Sequence, residues 1–217
     1  MGKTHPGRPI SLYEFGGSEN TIRRIQKRFV DLFRDCAPVL DIGCGRGVFL
    51  ELLSAAGIEA VGIDHSEEAL AVCQQKGFAV HREDARSYLR QKPGQFGGIF
   101  CSHVIEHMAY EDAIEFLELC RCALRAKGVL LVVTPNPDDL CVMSTIFWLD
   151  PTHVRPYPKP LLERMLQGVG FEIRMTQQFL GSWRLVGRGN IPGYLLRRML
   201  LGRHYGKPNT MILAAKL

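Results

Sequence analysis

Residues 39–50 constrain the fold most, because a short apolar strand, a glycine-rich turn and the start of a helix follow one another there without a break. Asp41 lies in the strand, and Gly43, Gly45 and Gly47 lie in the turn. Glycine permits a tight turn and lets a ligand approach the backbone, and the first turn of the helix offers N–H groups without intrahelical partners. The pattern predicts an α/β fold with a ligand site at this turn.

Two acidic residues narrow the chemistry of that ligand. Asp41 stands two residues before Gly43, where a carboxylate would repel a pyrophosphate but suits a cationic amino group. Asp64 ends the next apolar run, where α/β nucleotide folds bind ribose hydroxyls. The residues therefore favour a positively charged nucleoside over a dinucleotide, and a glycine turn without a ligand is the third interpretation.

Short apolar runs alternate with helical patterns along the whole chain, which favours a single, doubly wound α/β domain with a mostly parallel sheet. Strands are predicted at 39–42, 60–63, 78–81, 99–102, 129–134, 171–177 and 211–216, and helices at 18–34, 48–56, 66–76, 112–124 and from about Pro160. We expect residues 1–37 to form a helical lid, 38–135 the cofactor-binding half, and 136–217 the acceptor side with a basic insertion at 181–207.

Charge and cysteine content indicate the compartment and the partners. Residues 181–217 contain seven Lys or Arg and no acid, so the net charge of +5 originates there. This stretch is either a solvated basic face or a surface for an anionic partner such as a lipid head group, which would give peripheral membrane contact through the candidate helix 191–201. Seven cysteines without a C-x-x-C pair, and no stretch apolar enough to span a bilayer, indicate reduced thiols in a cytoplasmic protein.

Several motifs resemble those of class I S-adenosylmethionine-dependent methyltransferases. Residues 41–47 are similar to the first motif, 61–64 to the acidic second motif, Asp84-Ala85 to the third, 96–107 to the stretch after the fourth strand, and 126–134 to the fifth-strand motif, with Lys127-Gly128 in place of Gly-Gly. The resemblance implies a seven-stranded sheet with an antiparallel last strand and S-adenosylmethionine as cofactor. It implies cofactor contacts from Asp41, Gly43, Cys44, Gly45, Gly47, Asp64, His65, Asp84, Ala85, Ser102 and His103.

A narrower resemblance concerns the acceptor. Residues 15–19, 134–137 and 147–157 are similar to methyltransferases encoded with bacterial surface-polysaccharide (O-antigen) machinery, although Gly16 replaces the Arg that often precedes Gly-Ser-Glu. This resemblance implies O-methylation of a sugar hydroxyl in a glycan or lipid-linked glycan. Residues 103–107 also resemble ubiquinone-pathway O-methyltransferases, which implies a small aromatic or quinone-like acceptor instead. A non-catalytic cofactor-binding module is the alternative from another class. Nucleic acid is not expected, because the basic tail has few interleaved aromatics.

Residues 103–107 hold the first candidates for catalysis. His103, Glu106 and His107 have the i, i+3, i+4 spacing of one helical face. His107 is either the general base for a hydroxyl acceptor or a structural residue. The string H-x-x-E-H also occurs in some metalloproteases. Some class I methyltransferases use a metal near this position, but we assign no metal ligands here.

The second candidate base is His153, in a proline-rich segment after the fifth strand. Asp150 could orient its ring, and Arg155 and Tyr157 could hold the acceptor. Alternatively, the polar groups of this segment only cap the helix that begins near Pro160.

Overall fold

A computed structural model of the chain describes residues 18–179 and 199–217, and its centre is a seven-stranded sheet in the order β3-β2-β1-β4-β5-β7-β6. Strands β1 to β5 pair in parallel, and β7 lies antiparallel between β5 and β6. The predicted antiparallel last strand is therefore confirmed. The strands are β1 (Val39–Ile42), β2 (Ala60–Asp64), β3 (Val80–Arg82), β4 (Phe96–Ser102), β5 (Leu124–Pro135), β6 (Phe171–Phe179) and β7 (Asn209–Lys216).

Helices cover both faces of the sheet, as expected for a doubly wound fold. On one face, α4, α5 and α7 pack over a core that includes Tyr88, Phe116 and Leu162. On the other face, α2 and a 3₁₀ segment contribute Phe49 and Phe33. The helices are α1 (Glu19–Gln26), α2 (Val48–Ala55), α3 (Glu67–Gln75), α4 (Ala85–Arg90), α5 (Tyr110–Ala123), α6 (Leu140–Ser144) and α7 (Lys159–Gly168), and the 3₁₀ segments are Lys27–Phe33, Ile105–His107, Ile146–Leu149 and Gly202–His204.

The direction of chain progression reverses between β1 and β4, which are neighbours in the sheet. Ligands of open α/β sheets bind in the crevice beyond the carboxyl ends of the strands at such a reversal. The turn after β1 and the turn after β4 therefore lie beside each other at the edge where a ligand is expected.

Several elements differ from the sequence-based expectations. The helix predicted at 18–34 is α-helical only to Gln26 and continues as a 3₁₀ segment, in which Val30 and Phe33 are stacked at i, i+3 and buried. Ser18 was expected to cap it, but its hydroxyl contacts Thr21 Oγ1 instead of a backbone N–H. The prediction missed α4, α6 and the 3₁₀ segment at 146–149. By contrast, Ser66 caps α3 as expected by accepting from Ala69 N at 3.2 Å.

Four predicted features lie partly outside the described residues. They are the helical lid 1–37 and the motif at 15–19, both up to residue 17, most of the basic insertion 181–207, and the candidate helix 191–201 up to residue 198. Within the described residues, no helix combines the length and the apolar character that crossing a membrane requires.

Candidate functional site

The turn after β1 requires glycine for its conformation and for space. Gly43, Gly45 and Gly47 have φ values of 70°, 52° and 78°, in the left-handed region that other residues avoid. A Cβ on Gly43 would lie 2.8 Å from Val104 Cγ2, and one on Gly47 would lie 2.9 Å from Cys73 Sγ. The first of these contacts shows that the turn after β4 touches the turn after β1.

The two predicted acidic residues, Asp64 and Asp41, lie at this turn in different surroundings. Asp64 accepts hydrogen bonds from Gly45 N at 2.9 Å and from Ser66 N at 2.8 Å, so it joins the turn to the start of α3. Asp41 is buried, and burial together with the nearby charge of Asp64 raises the pKa of Asp41 from 3.8 to about 8. A cationic group placed beside Asp41 would favour its ionised form, so the turn is suited to the positively charged ligand predicted from the sequence.

Cys44 supports the turn through its backbone and its buried side chain, and its cofactor contact stays a prediction. Its N–H donates to Ile63 O at 3.0 Å, and its carbonyl accepts from Gly47 N at 2.9 Å. Its side chain is buried against Gly62, where an added Cβ would lie 2.7 Å from Cys44 Sγ. Every polar group of Cys44 is thus turned into the protein.

The remaining predicted residues of the cofactor side lie at the ends of β2 and β3. His65 is exposed directly after β2. Asp84 is the N-cap of α4, and its Oδ1 accepts from Ser87 N at 3.0 Å and from Ser87 Oγ at 3.3 Å. Burial alone would raise the pKa of Asp84, but these bonds from Ser87 outweigh it and lower the pKa. Ala85 is buried as the first residue of α4.

The turn after β4 contains a strained histidine that is bonded to a buried carboxylate. Ser102 is the last residue of β4, and His103 follows with φ 57°, which is uncommon for a residue other than glycine. His103 Nδ1 lies 3.0 Å from Oε1 of the fully buried Glu106, whose Oε2 accepts from Thr134 Oγ1 at 3.1 Å. Burial would raise the pKa of Glu106, but the bond and charge of His103 lower it, so Glu106 is ionised.

The pair His103–Glu106 meets at i, i+3 as the spacing predicted, but not on an α-helix. Residues 105–107 form a single 3₁₀ turn, which follows the left-handed His103. The side chain of His107 contacts Thr152 and His153 in the segment after β5. The sequence placed Glu106 on one face with His103 and His107 but gave neither Glu106 nor Thr134 a role in the site.

His107 and His153, the two candidate bases, come together although they are far apart in the sequence. Their ring centroids are 4.7 Å apart. His107 Nδ1 lies 2.9 Å from Thr152 Oγ1, which itself donates to Asp150 Oδ1 at 2.6 Å, so the Nδ1 of His107 must be the donor. His153 Nδ1 lies 2.6 Å from the carbonyl of Phe147, which can only accept. Both rings therefore carry a proton on Nδ1, and in the neutral form of each imidazole Nε2 is the nitrogen with the free lone pair.

Asp150 acts mainly through Thr152 and not as the predicted orienting partner of His153. One of its oxygens accepts from both the N–H and the hydroxyl of Thr152, and the other lies 3.9 Å from His153 Nε2. Burial would raise the pKa of Asp150, but the bonds from Thr152 lower it. Asp150 therefore fixes Thr152, and Thr152 fixes the ring of His107.

Backbone bonds attach the segment after β5 to the turn after β4. The carbonyl of Glu106 accepts from Val154 N at 2.9 Å and from Arg155 N at 3.2 Å. The guanidinium of Arg155 lies over the rings of Tyr110 and Tyr157, 5.7 Å and 5.2 Å from their centroids. These contacts hold His153 opposite His107 and fix the direction of the Arg155 side chain.

Tyr157 is a structural residue, which contradicts its predicted contact with the acceptor. Its side chain is fully buried, and its hydroxyl lies 2.9 Å from Met108 O and 3.1 Å from Ala109 O. Burial raises the pKa of Tyr157 to about 12. The hydroxyl is thus already used to fix the chain between β4 and α5.

Glu106, His107 and His153 could also hold a metal ion. Each offers one ligand atom, and these three atoms lie within 4.8 Å of one another. The site therefore comprises a glycine turn with two carboxyl groups and, beside it, two imidazoles over a buried carboxylate.

Comparison with known families and with curated proteins places the chain in one family. Residues 18–176 match the family described as "Methyltransferase domain". The ubiquinone biosynthesis O-methyltransferase of Aromatoleum aromaticum is 35% identical over 104 residues, which cover 45% of this chain and 44% of that protein. The protein of the same name from Pseudomonas aeruginosa PAO1 is 32% identical over 151 residues, which cover 67% of this chain and 61% of that protein. The chain thus spans about half the length of the curated relatives it matches.

Solved structures agree with this assignment. A SAM-dependent methyltransferase from Archaeoglobus fulgidus superposes with a TM-score of 0.81 at 30% identity, over 95% of this chain and 100% of that chain. Magnesium protoporphyrin IX methyltransferase from Synechocystis PCC 6803, with bound SAH, superposes with a TM-score of 0.62 at 20% identity, over 97% and 89% of the two chains. The second likeness concerns the fold alone.

Proposed function

The chain belongs to the methyltransferase-domain family, and on that premise we propose that it transfers the methyl group of S-adenosylmethionine to a hydroxyl of a small aromatic or quinone-like acceptor. The predicted membership of the methyltransferase family is confirmed. The predicted association with surface polysaccharide has no support among these matches, and the curated relatives favour the small-acceptor alternative over the glycan.

The observation that carries the proposal is that the turn leading to His107 contacts the glycine turn, and that the rings of His107 and His153 meet. Val104 touches Gly43, so the residues after β4 border the place where the cofactor binds. His107 lies three residues beyond Val104, and its ring contacts that of His153. Both rings use Nδ1 in bonds to the protein, which leaves Nε2 as the atom that can accept a proton from an acceptor hydroxyl. A hydroxyl between them would lie next to the methyl donor and next to groups that can assist the loss of its proton.

On the cofactor side, the charge at the turn suits S-adenosylmethionine. The ligand carries an ammonium and a sulfonium, and the carboxyl of Asp41 would ionise in their presence. Asp64 lies at the carboxyl end of β2, where such folds bind the ribose. We keep Gly43, Gly45, Gly47, Asp64 and Asp41 as the cofactor-binding set.

Methyl transfer itself requires alignment more than assistance to the leaving group. The acceptor oxygen attacks the methyl carbon, the bond from carbon to sulfur breaks, and S-adenosylhomocysteine leaves as a neutral thioether. The hydroxyl proton passes to one of the two imidazoles and from there to solvent. Correct positioning can supply roughly 7–11 kcal/mol of the barrier in favourable systems. The carbonyl of Glu106 accepts hydrogen bonds from Val154 N and Arg155 N, and these bonds hold the segment around His153 in a fixed position.

Exposed apolar side chains beside His153 favour an apolar acceptor over a sugar. Trp148, Leu149 and Val154 are 59%, 50% and 54% exposed. The indole N–H of Trp148 donates to Met143 O at 2.8 Å, which fixes the ring at the surface. Clustered apolar groups of this kind commonly mark a binding surface.

Radiolabelled S-adenosylmethionine tests the proposal directly. Purified protein is incubated with hydroxylated aromatic and quinol acceptors, and in parallel with saccharides. We expect label in the aromatic acceptors, and a fall in the rate of transfer of about 10²- to 10⁴-fold in His153→Ala. His81→Ala, an exposed histidine on β3, is the matched control and should transfer at the normal rate. Transfer to saccharides alone would contradict the proposal, and cofactor binding without transfer to any acceptor would favour a non-catalytic module.

A further inference from the structure

We propose that Glu106, His107 and His153 bind one divalent cation of the zinc type. The three ligand atoms already lie within 4.8 Å of one another. In a tetrahedral site with bonds of about 2.1 Å, ligand atoms are roughly 3.4 Å apart, so closure requires side-chain shifts of only about 1 Å. Two imidazoles and one carboxylate are a donor set that suits zinc and its first-row neighbours, whereas magnesium and calcium prefer oxygen ligands.

Both imidazoles have the hydrogen-bond pattern of metal ligands. A histidine that binds a metal through one ring nitrogen typically donates the other N–H to a carbonyl, carboxylate or water. His153 donates to the Phe147 carbonyl, and His107 donates to Thr152, which is in turn bonded to Asp150. Two independent contacts therefore select the same tautomer, and each leaves Nε2 to act as a ligand.

Glu106 supplies the charge that a cation requires. Its side chain is fully buried, and each of its oxygens accepts one bond, from His103 or from Thr134. A carboxylate oxygen has a second lone pair, so one oxygen can bind a cation without losing its present partner. Asp150 adds a second negative charge, with Oδ2 at 3.9 Å from His153 Nε2.

The ligands come from two chain segments that are attached to each other. Glu106 and His107 belong to the turn after β4, and His153 belongs to the segment after β5. The carbonyl of Glu106 accepts from Val154 N and Arg155 N, so the two segments cannot separate without breaking these bonds. The site is therefore largely formed before the ion arrives, which lowers the ordering cost of binding.

Three protein ligands leave a position for one further ligand, as in catalytic zinc sites. If the proposed function holds, that position faces the acceptor and would take its oxygen. A cation held by these three residues would make the proton of that oxygen more acidic and would help to orient the oxygen. The cation would then replace an imidazole as the group that assists loss of the proton.

Metal binding is measured on the full chain, separately from methyl transfer. Protein stripped with a chelator is titrated with Zn²⁺ by calorimetry and with Co²⁺ by visible absorption spectroscopy. We expect one equivalent per chain and a Co²⁺ spectrum of nitrogen and oxygen ligands. His153→Ala and His107→Ala should weaken binding at least ~100-fold. Thr152→Val removes one of the two acceptors of His107 Nδ1 and keeps the Thr152 carbonyl at 3.2 Å, so it should weaken binding about 10-fold at most.

Controls separate this site from other ions and from misfolding. His81→Ala should bind the ion like the wild type, and far-UV circular dichroism and S-adenosylmethionine affinity should be unchanged in His153→Ala. The inference is overturned if the wild type binds no stoichiometric ion, if His153→Ala binds it equally well, or if the Co²⁺ spectrum shows thiolate ligation. Label transfer by a protein that binds no ion would overturn the metal site alone, and ion binding without transfer would overturn the proposed acceptor alone.

Discussion

Replacing Asp41 by Asn should change how the stability of the protein depends on pH. The pKa of Asp41 is 3.8 in an ordinary environment and about 8 in the folded protein, because the carboxyl is buried and lies near Asp64. Between pH 3.8 and about pH 8, the carboxyl of Asp41 is therefore protonated in the folded state and ionised in the unfolded state. Stability from this group is fully present below pH 3.8 and is lost as the pH rises toward 8.

The size of the effect follows from the shift. A change in pKa from 3.8 to about 8 amounts to about 6 kcal/mol of unfolding free energy, at about 1.4 kcal/mol per pH unit. About 3–4 kcal/mol of this is lost between pH 5 and pH 8. This is a large share of the roughly 5–15 kcal/mol by which domains are stable. Asn is neutral throughout, so the free energy of unfolding of Asp41→Asn should exceed that of the wild type increasingly as the pH rises.

Urea unfolding at several pH values between 5 and 8 measures this difference. Asp84→Asn is the control, because the pKa of Asp84 is lowered and its stabilisation is lost only when the pH falls through the acidic range. Parallel stability curves for the wild type and Asp41→Asn would refute the reasoning, since they would show that Asp41 has the same pKa in both states.

Three further predictions concern the cofactor turn and the segment after β5. Binding of S-adenosylmethionine at pH 7 should release close to one proton, because Asp41 is protonated in the free protein and would ionise beside the cationic ligand. Calorimetry in buffers of different ionisation enthalpy measures this release, and a binding enthalpy that does not depend on the buffer would contradict it. Gly47→Ala should cost about 1–2 kcal/mol for its φ of 78° and a further ~1–3 kcal/mol for the 2.9 Å approach to Cys73 Sγ. Gly57→Ala, with φ 73° and nothing near its added Cβ, should cost only the first amount, and equal losses in urea unfolding would disprove the steric argument. Tyr157→Phe should lower the free energy of unfolding by about 1–3 kcal/mol, because backbone carbonyls lose a buried partner, with little effect on the rate of transfer; a selective loss of activity would return Tyr157 to the acceptor site.

The cofactor side of the fold could be predicted because its determinants are local. A turn that requires positive φ at three positions allows little but glycine, and the strands before and after it are short apolar runs. The cap at Ser66 follows from one side chain and the N–H three residues later. Helix α4 escaped notice because it has six residues, and because Asp84 was interpreted as a ligand contact although it is also the cap of that helix.

The acceptor side could not be predicted in the same way, because long-range contacts determine it. The positions of His107 and His153 depend on Thr152 and on the Phe147 carbonyl, and the contact between His107 and Thr152 spans 45 residues. The left-handed backbone of His103 has no sequence signal comparable to glycine. The i, i+3 spacing correctly predicted that His103 and Glu106 are close to each other. It could not indicate that residues 105–107 form a 3₁₀ turn instead of an α-helix.

The place of β7 in the sheet has a consequence for synthesis on the ribosome. Within the described residues, β6 has hydrogen-bonded strand partners only in β7, which also pairs with β5. Residues 171–179 therefore leave the exit tunnel before a neighbour exists for them, and the edge of β5 also stays uncovered until residues 209–216 follow. The half of the sheet that carries the glycine turn can therefore form early. The half behind the acceptor segment forms only when β7 inserts between β5 and β6, which are synthesised before it.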